Sequence, residues 1–158
     1  FYDKKHLFCL SKEPRVITPG KEKKIVEYKG WKIALFTCYD IRFPAWCRNS
    51  FNNEEYDYDL AIYCSSWDSA RNLAWTSLYV ARAIENISYV VAVNRVGIDN
   101  FNIKYFGHSA IINYKGEKLV DTIENEEEIA YHTIDKKLLN DFRDYFPVGK
   151  DWDKFTLE

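Results

Sequence analysis

The chain has 158 residues, of which 47% are hydrophobic and 29% charged, enough for one domain with a real core. A net charge of −2 without a Lys/Arg-rich block argues against a nucleic-acid partner, which needs a concentrated basic face. No apolar run approaches the ~20 residues of a membrane-spanning helix, so no membrane partner is expected either.

In chain order, "KKIVEYKGWKIALFTC" reads as two strands joined at Lys29-Gly30. The first alternates, as a half-exposed strand does. The second, Ile33 to Thr37, is apolar on both faces, the pattern of a central strand covered on both sides. "FPAWCRNSFNN" predicts a short helix with Pro44 near its start, and "DLAIYCSS", Asp59 to Ser66, a second central strand. Strand, helix, strand makes a parallel crossover unit. A helix follows in "SARNLAWTSLYVARAIENIS", with Ser69 as its expected N-cap. Two stripes repeat there at helical spacing: Leu73, Ser77, Val80, Ile84 and Ile87, and Ala74, Leu78, Ala81 and Glu85. "YVVAVNRV" is the next buried strand, "GHSAIINYKGEKLVDTI" a hairpin turning at Lys115-Gly116, and "EEEIAYHTID" a further strand. "KKLLNDFRDYF" closes the pattern as a short amphipathic helix. The class is α/β, with central parallel strands followed by antiparallel ones.

In open α/β sheets chemistry sits at the carboxyl ends of the strands, where Cys38, Ser65, Ser66 and Asn94 fall. Cys9, Cys38, Cys47 and Cys64 lack the close pairing of zinc sites, so no metal is expected, and they read as reduced thiols of a cytoplasmic protein. A free thiol with a pKa of about 8.5 needs a base, a cation or a helix amino-terminus to attack. On local pattern alone Cys38 is either core filling or a nucleophile. Cys64 reads as core filling, and Cys9 and Cys47 as incidental.

"YDKKHLF" (Tyr2 to Phe8), "CYDIRFP" (Cys38 to Pro44), "ARAIEN" (Ala81 to Asn86) and "GHSAIINYKGE" (Gly107 to Glu117) occur in the order seen in the nitrilase superfamily of carbon–nitrogen hydrolases. The chain resembles its omega-amidase branch most, with "NRVG" (Asn94 to Gly97) adding to that likeness. The resemblance implies a partial αββα sandwich, residues 1–158 being the C-terminal portion of a longer hydrolase domain. It puts the catalytic nucleophile on Cys38, the catalytic lysine on Lys4 and a supporting glutamate on Glu13. The family's general-base glutamate comes from a strand before the lysine. The chain starts at Phe1, without a methionine and without a signal peptide, so it is expected to be a fragment that is inactive alone.

The implied reaction is hydrolysis of a small-molecule amide without a cofactor. Cys38 attacks the carbonyl, the Lys4 ammonium and the Tyr39 backbone amide meet the oxyanion, and a thioester forms as ammonia leaves. Trp67, Arg71 and Arg95 are candidates for the substrate pocket, a guanidinium being suited to a substrate carboxylate. Asp40 and Arg42 are expected to pair within the turn after Cys38, and Arg82 with Glu85 on the long helix. His6 is expected to position the Lys4 segment, and His108 and His132 to be structural. Family members commonly pair, so a homo-oligomer is expected, with Trp46 and Phe142 to Trp152 as candidate contacts. Alternatives are an N-carbamoyl or nitrile substrate, a Cys–His enzyme using His6, or a non-catalytic interaction domain.

Overall fold

A computed structural model of the chain describes residues 1–157. One six-stranded sheet organises it: β1 (Lys24–Tyr28), β2 (Trp31–Thr37), β3 (Leu60–Ser65), β4 (Tyr89–Asn94), β5 (Ala110–Ile112) and β6 (Lys118–Asp121), side by side in that order. The middle pairs, β2 with β3 and β3 with β4, are parallel; the outer three are antiparallel. Helix α1 (Asn72–Asn86) carries the crossover from β3 to β4, and α2 (Lys136–Tyr145) follows the sheet.

Pairing register explains why the middle strands are apolar on both sides. Ala34, Ala61, Val90 and Ile112 stand in one lateral row, and Phe36, Tyr63, Ala92 and Ala110 in the next but one. These rows meet Trp75, Tyr79 and Ala83 of α1 in the larger core. On the opposite face Leu60 and Tyr89 pack with Leu139 of α2, and Ile33, Ile62, Val91 and Phe142 lean on that cluster. This second cover stops short of the carboxyl ends. There Val93 is 46% exposed and Cys64 is exposed too. Cys64 therefore does not fill the core; the fully buried thiol is Cys47, with its Sγ 3.1 Å from the Asp40 carbonyl oxygen.

Helix α1 buries a different stripe from the two that aliphatic spacing suggests. Trp75, Tyr79, Arg82, Ala83 and Asn86 face inward, whereas Leu73 is 80% exposed. Aromatic area and satisfied polar groups outweigh the aliphatic pattern here: Trp75 donates to the His108 carbonyl oxygen, and Asn86 accepts two hydrogen bonds from Asn49. Ser69 does not cap α1. It opens a one-turn 3-10 segment, Ser69–Arg71, preceded by Asp68.

The helix expected in residues 43–53 is a single turn, Pro44–Cys47. Asn49 ends it by using its side chain on the Tyr58 and Asn86 backbone. The tight turns at Lys29-Gly30 and Lys115-Gly116 are present, with both glycines at positive φ. Residues 126–135 form no strand, having no ladder partner among the described residues. A small ribbon pairs Val96–Ile98 with Lys104–Phe106, which hydrophobic pattern did not reveal. His108 and His132 lie outside the strands. Of the aromatic contacts expected for pairing of copies, Trp46 is 6% exposed and buried in the core, while Tyr145 and Phe146 are open.

Candidate active site

Strand β2 is apolar up to Thr37, and the chain then turns at once. Cys38 has φ +46°, a left-handed backbone that a β-carbon disfavours, and opens a 3-10 turn over Cys38–Arg42. Two devices hold this turn. Thr37 and Asp40 form a reciprocal cap, with Asp40 Oδ2 accepting from the Thr37 N–H at 3.1 Å. Arg82 of α1 donates from Nε and Nη2 to the Ile41 carbonyl oxygen at 3.0 and 2.6 Å and keeps Glu85 at 2.9 Å, as expected for that pair. The nucleophile candidate is thus clamped from the helix layer.

Asp40 does not pair with Arg42. Fully buried, it accepts from the Tyr2 hydroxyl at 2.8 Å and from the His6 N–H at 2.9 Å, and His6 Nδ1 lies 2.9 Å from it. The His6 ring stacks on Phe43 at 3.6 Å, and Trp46 donates to the Tyr2 oxygen at 3.0 Å. One carboxylate therefore ties the segment carrying Lys4 to the turn carrying Cys38. His6 positions that segment, as its place in "KKHLF" suggested.

Lys4 Nζ lies 2.6 Å from Glu13 Oε2, and the same oxygen accepts the Phe8 N–H at 2.9 Å. Burial pushes the Glu13 carboxyl up, but the Lys4 and Phe8 hydrogen bonds and the Lys4 charge outweigh it and hold it below the usual range. Burial raises the Cys38 thiol; a backbone hydrogen bond at Ser66, the Lys4 charge and the nearby Ser65 hydroxyl offset this only in part, and the Glu13 charge opposes them. Both Lys4 and Glu13 therefore sit within electrostatic reach of the sulfur. A raised thiol is protonated at neutral pH, so attack requires a base.

Cys38 lines a small cavity with Phe8, Tyr39, Arg42, Ser66, Trp67, Asp68 and Arg71. Trp67 and Arg71, expected at the pocket, are there. Arg71 pairs with Asp68 and lies over the Phe8 ring at 5.1 Å, and Trp67 Nε1 donates to the Arg71 carbonyl oxygen at 2.8 Å. Arg42 is an unforeseen member: released from Asp40, its guanidinium stacks on Trp67 at 4.7 Å. Arg95 is not brought to this cavity. It lies over Tyr105 at 4.5 Å and lines a separate groove with Asn94, Gly107 and Glu127. Asn94 has a structural part, its side chain bridging the Trp67 backbone and the Gly107 carbonyl oxygen at 2.7 to 3.0 Å. Among the described residues no cluster of three or more His, Cys, Asp or Glu could hold a metal ion, and no helix is long and apolar enough to cross a membrane.

The family model described as carbon-nitrogen hydrolase matches residues 1–144. This chain belongs to the carbon-nitrogen hydrolase family. It is 41% identical over 157 residues to the omega-amidase YafV of Escherichia coli, covering 99% of this chain and 59% of that protein. A 2-oxoglutaramate amidase of Paenarthrobacter nicotinovorans is 36% identical over 155 residues, covering 95% of this chain and 51% of its own length. The chain thus spans little more than half the length of these curated relatives. Among solved structures, a CN-hydrolase superfamily protein of Xanthomonas campestris with an arsenic adduct in its active site superposes with a TM-score of 0.96. Identity there is 43%, covering 99% of this chain and 60% of that one. The resemblance to the nitrilase superfamily and the α/β class read from the sequence both hold.

Proposed function

We propose that this carbon-nitrogen hydrolase chain supplies the nucleophile, the lysine and the supporting glutamate of an omega-amidase-like enzyme. The observation that carries the reading is the clasp at Asp40, which fixes the Lys4 segment against the strained turn bearing Cys38 at the mouth of a cavity. The substrate class is a small dicarboxylate monoamide: the cavity is small and flanked by the guanidinium groups of Arg42 and Arg71, suited to a carboxylate. The omega-amidase and 2-oxoglutaramate amidase names of the relatives point the same way.

In this mechanism a glutamate from outside residues 1–158 takes the Cys38 proton, and the thiolate attacks the amide carbonyl. The Lys4 ammonium and the Tyr39 backbone amide stabilise the oxyanion. That glutamate passes the proton to the amide nitrogen, ammonia leaves and Cys38 carries a thioester; water activated by the same glutamate then releases the acid and the proton returns to the sulfur. Glu13 holds Lys4 in place through their 2.6 Å ion pair. Residues 1–158 form one portion of a single hydrolase domain, and the complete enzyme is a cytoplasmic homo-oligomer whose pairing face includes Tyr145 and Phe146.

The test is ammonia release by the full-length protein from a panel of small terminal amides, N-carbamoyl compounds and nitriles. Cys38→Ser is expected to abolish turnover, and Lys4→Ala to lower kcat by about 10²–10³, the usual loss for one oxyanion donor. Full activity in either variant would overturn the assignment. A Cys–His mechanism has less support, because no hydrogen bond among the described residues joins His6 to Cys38. Retained activity in Lys4→Ala with loss in His6→Ala would favour it.

A further inference from the structure

Ser65 is the last residue of β3, and its buried hydroxyl has no hydrogen bond of ordinary geometry, though it lies near enough to Cys38 to favour the thiolate. An unpaired buried hydroxyl is costly, and such an orphan calls for a reason. Register supplies one. The β2–β3 ladder ends with Thr37 opposite Cys64, so the next residues along the two parallel strands are Cys38 and Ser65. Alternation sends Ser65 toward the α1 side, as it does Tyr63 two residues earlier, and Cys38, past the strand end, packs against the same core, where Phe36 and Tyr63 stack their rings at 5.1 Å. The sulfur is held at this strand end, 3.8 Å from the carbonyl oxygen of Ser66.

We propose that Ser65 is a stabilising donor for the reactive sulfur: its hydroxyl turns to Cys38 when the thiol gives up its proton. The proton goes to the base, the Ser65 O–H bond stays intact, and its hydrogen faces a sulfur lone pair of the thiolate. Burial disfavours that thiolate, and a neutral donor at the strand end offsets part of the cost without adding a charge. A neutral hydroxyl suits the later steps as well. It releases the sulfur when the thioester forms and holds the thiolate again when the acid departs.

The inference rests on Cys38 being the nucleophile, and the experiment separates the two. Site-resolved iodoacetamide labelling of the full-length protein is followed by mass spectrometry from neutral to alkaline pH, with Cys9 as internal reference. Ser65→Ala is expected to move the Cys38 labelling midpoint up by about one pH unit, and to slow labelling at neutral pH about tenfold. Ser65→Thr, which keeps the hydroxyl, is expected to restore most of the rate, and Cys9 labelling to stay unchanged in both. A Cys38 midpoint in Ser65→Ala equal to that of the parent, with Cys38 still labelling faster than Cys64, overturns the role of Ser65 alone. Cys38 labelling no faster than Cys64 in the parent overturns the nucleophile assignment and this inference together.

Discussion

Cys38 occupies a backbone conformation that costs a β-carbon-bearing residue about 1–3 kcal/mol, and the surrounding bonds of Asp40 and Arg82 hold it there. The strain has a chemical use, since it lifts the thiol out of the strand line into the cavity shared with Trp67 and Arg71. Replacing Cys38 by glycine should remove activity while raising thermal stability slightly, measured by calorimetry, because glycine adopts that φ freely. Asp40 is the residue whose importance the amino-acid pattern hid. It lies within "CYDIRFP", where pairing with Arg42 was the nearest explanation, yet its partners come from positions 2, 6 and 37. Asp40→Asn keeps the shape but turns one acceptor oxygen into a donor facing other donors. Such a buried mismatch is expected to cost about 1–3 kcal/mol in denaturant unfolding and to lower kcat by loosening Lys4.

Elements show the same division between pattern and packing. Helix α1 was predictable as a helix, but its inward face was not, because the partners that bury Arg82 and Asn86, the Ile41 carbonyl oxygen and Asn49, lie far along the chain. Trp75→Ala should destabilise by about 3–5 kcal/mol, whereas Leu73→Ala on the exposed side should stay within about 0.5 kcal/mol, both read from urea unfolding. The Lys4 segment depends on a close backbone approach: the Gly20 N–H donates to the Lys4 carbonyl oxygen at 2.8 Å, and a β-carbon at Gly20 would stand 2.1 Å from the Asp3 carbonyl oxygen. Gly20→Ala must push this segment away. Its expected signature is a fall in kcat larger than any change in KM, checked by steady-state ammonia release.

Across the whole molecule, one charge network ties α2 to the residues before β3 and to the end of α1. Arg143 of α2 donates to Asp59 Oδ1 at 2.7 Å and to the Tyr58 and Ile87 carbonyl oxygens, and Lys136 reaches Asp59 at 2.8 Å. Burial pushes the Asp59 carboxyl up, but Lys136, the Lys32 amide and Arg143 outweigh it and hold it below the ordinary carboxylate value. A carboxylate depressed in the folded state contributes stability above its unfolded pKa of about 4, and that contribution is lost as pH falls through the lower folded value. Asp59→Asn should therefore lower Tm at neutral pH and flatten the loss of Tm on acidification below about pH 4. The opposite sign applies to Cys47. Burial raises its thiol to about 12, so its share of stability is present at neutral pH and declines as pH climbs above the ordinary thiol value.

By itself the sequence determined the order of the six strands of the main sheet and of the two longer helices, both tight glycine turns and the family, while the three residues proposed for the chemistry come from the family resemblance. Those features rest on local rules: side-chain period, turn residues at fixed offsets, and short motifs that carry their own spacing. Only the tertiary structure decided that Asp40 clasps Tyr2 and His6, that Arg42 joins the cavity while Arg95 stays apart, that Cys64 is open and Cys47 buried, and that residues 126–135 find no strand partner. Each of those depends on groups far apart along the chain, and a buried polar group or a ladder edge takes whichever partner the packed fold brings within about 3 Å.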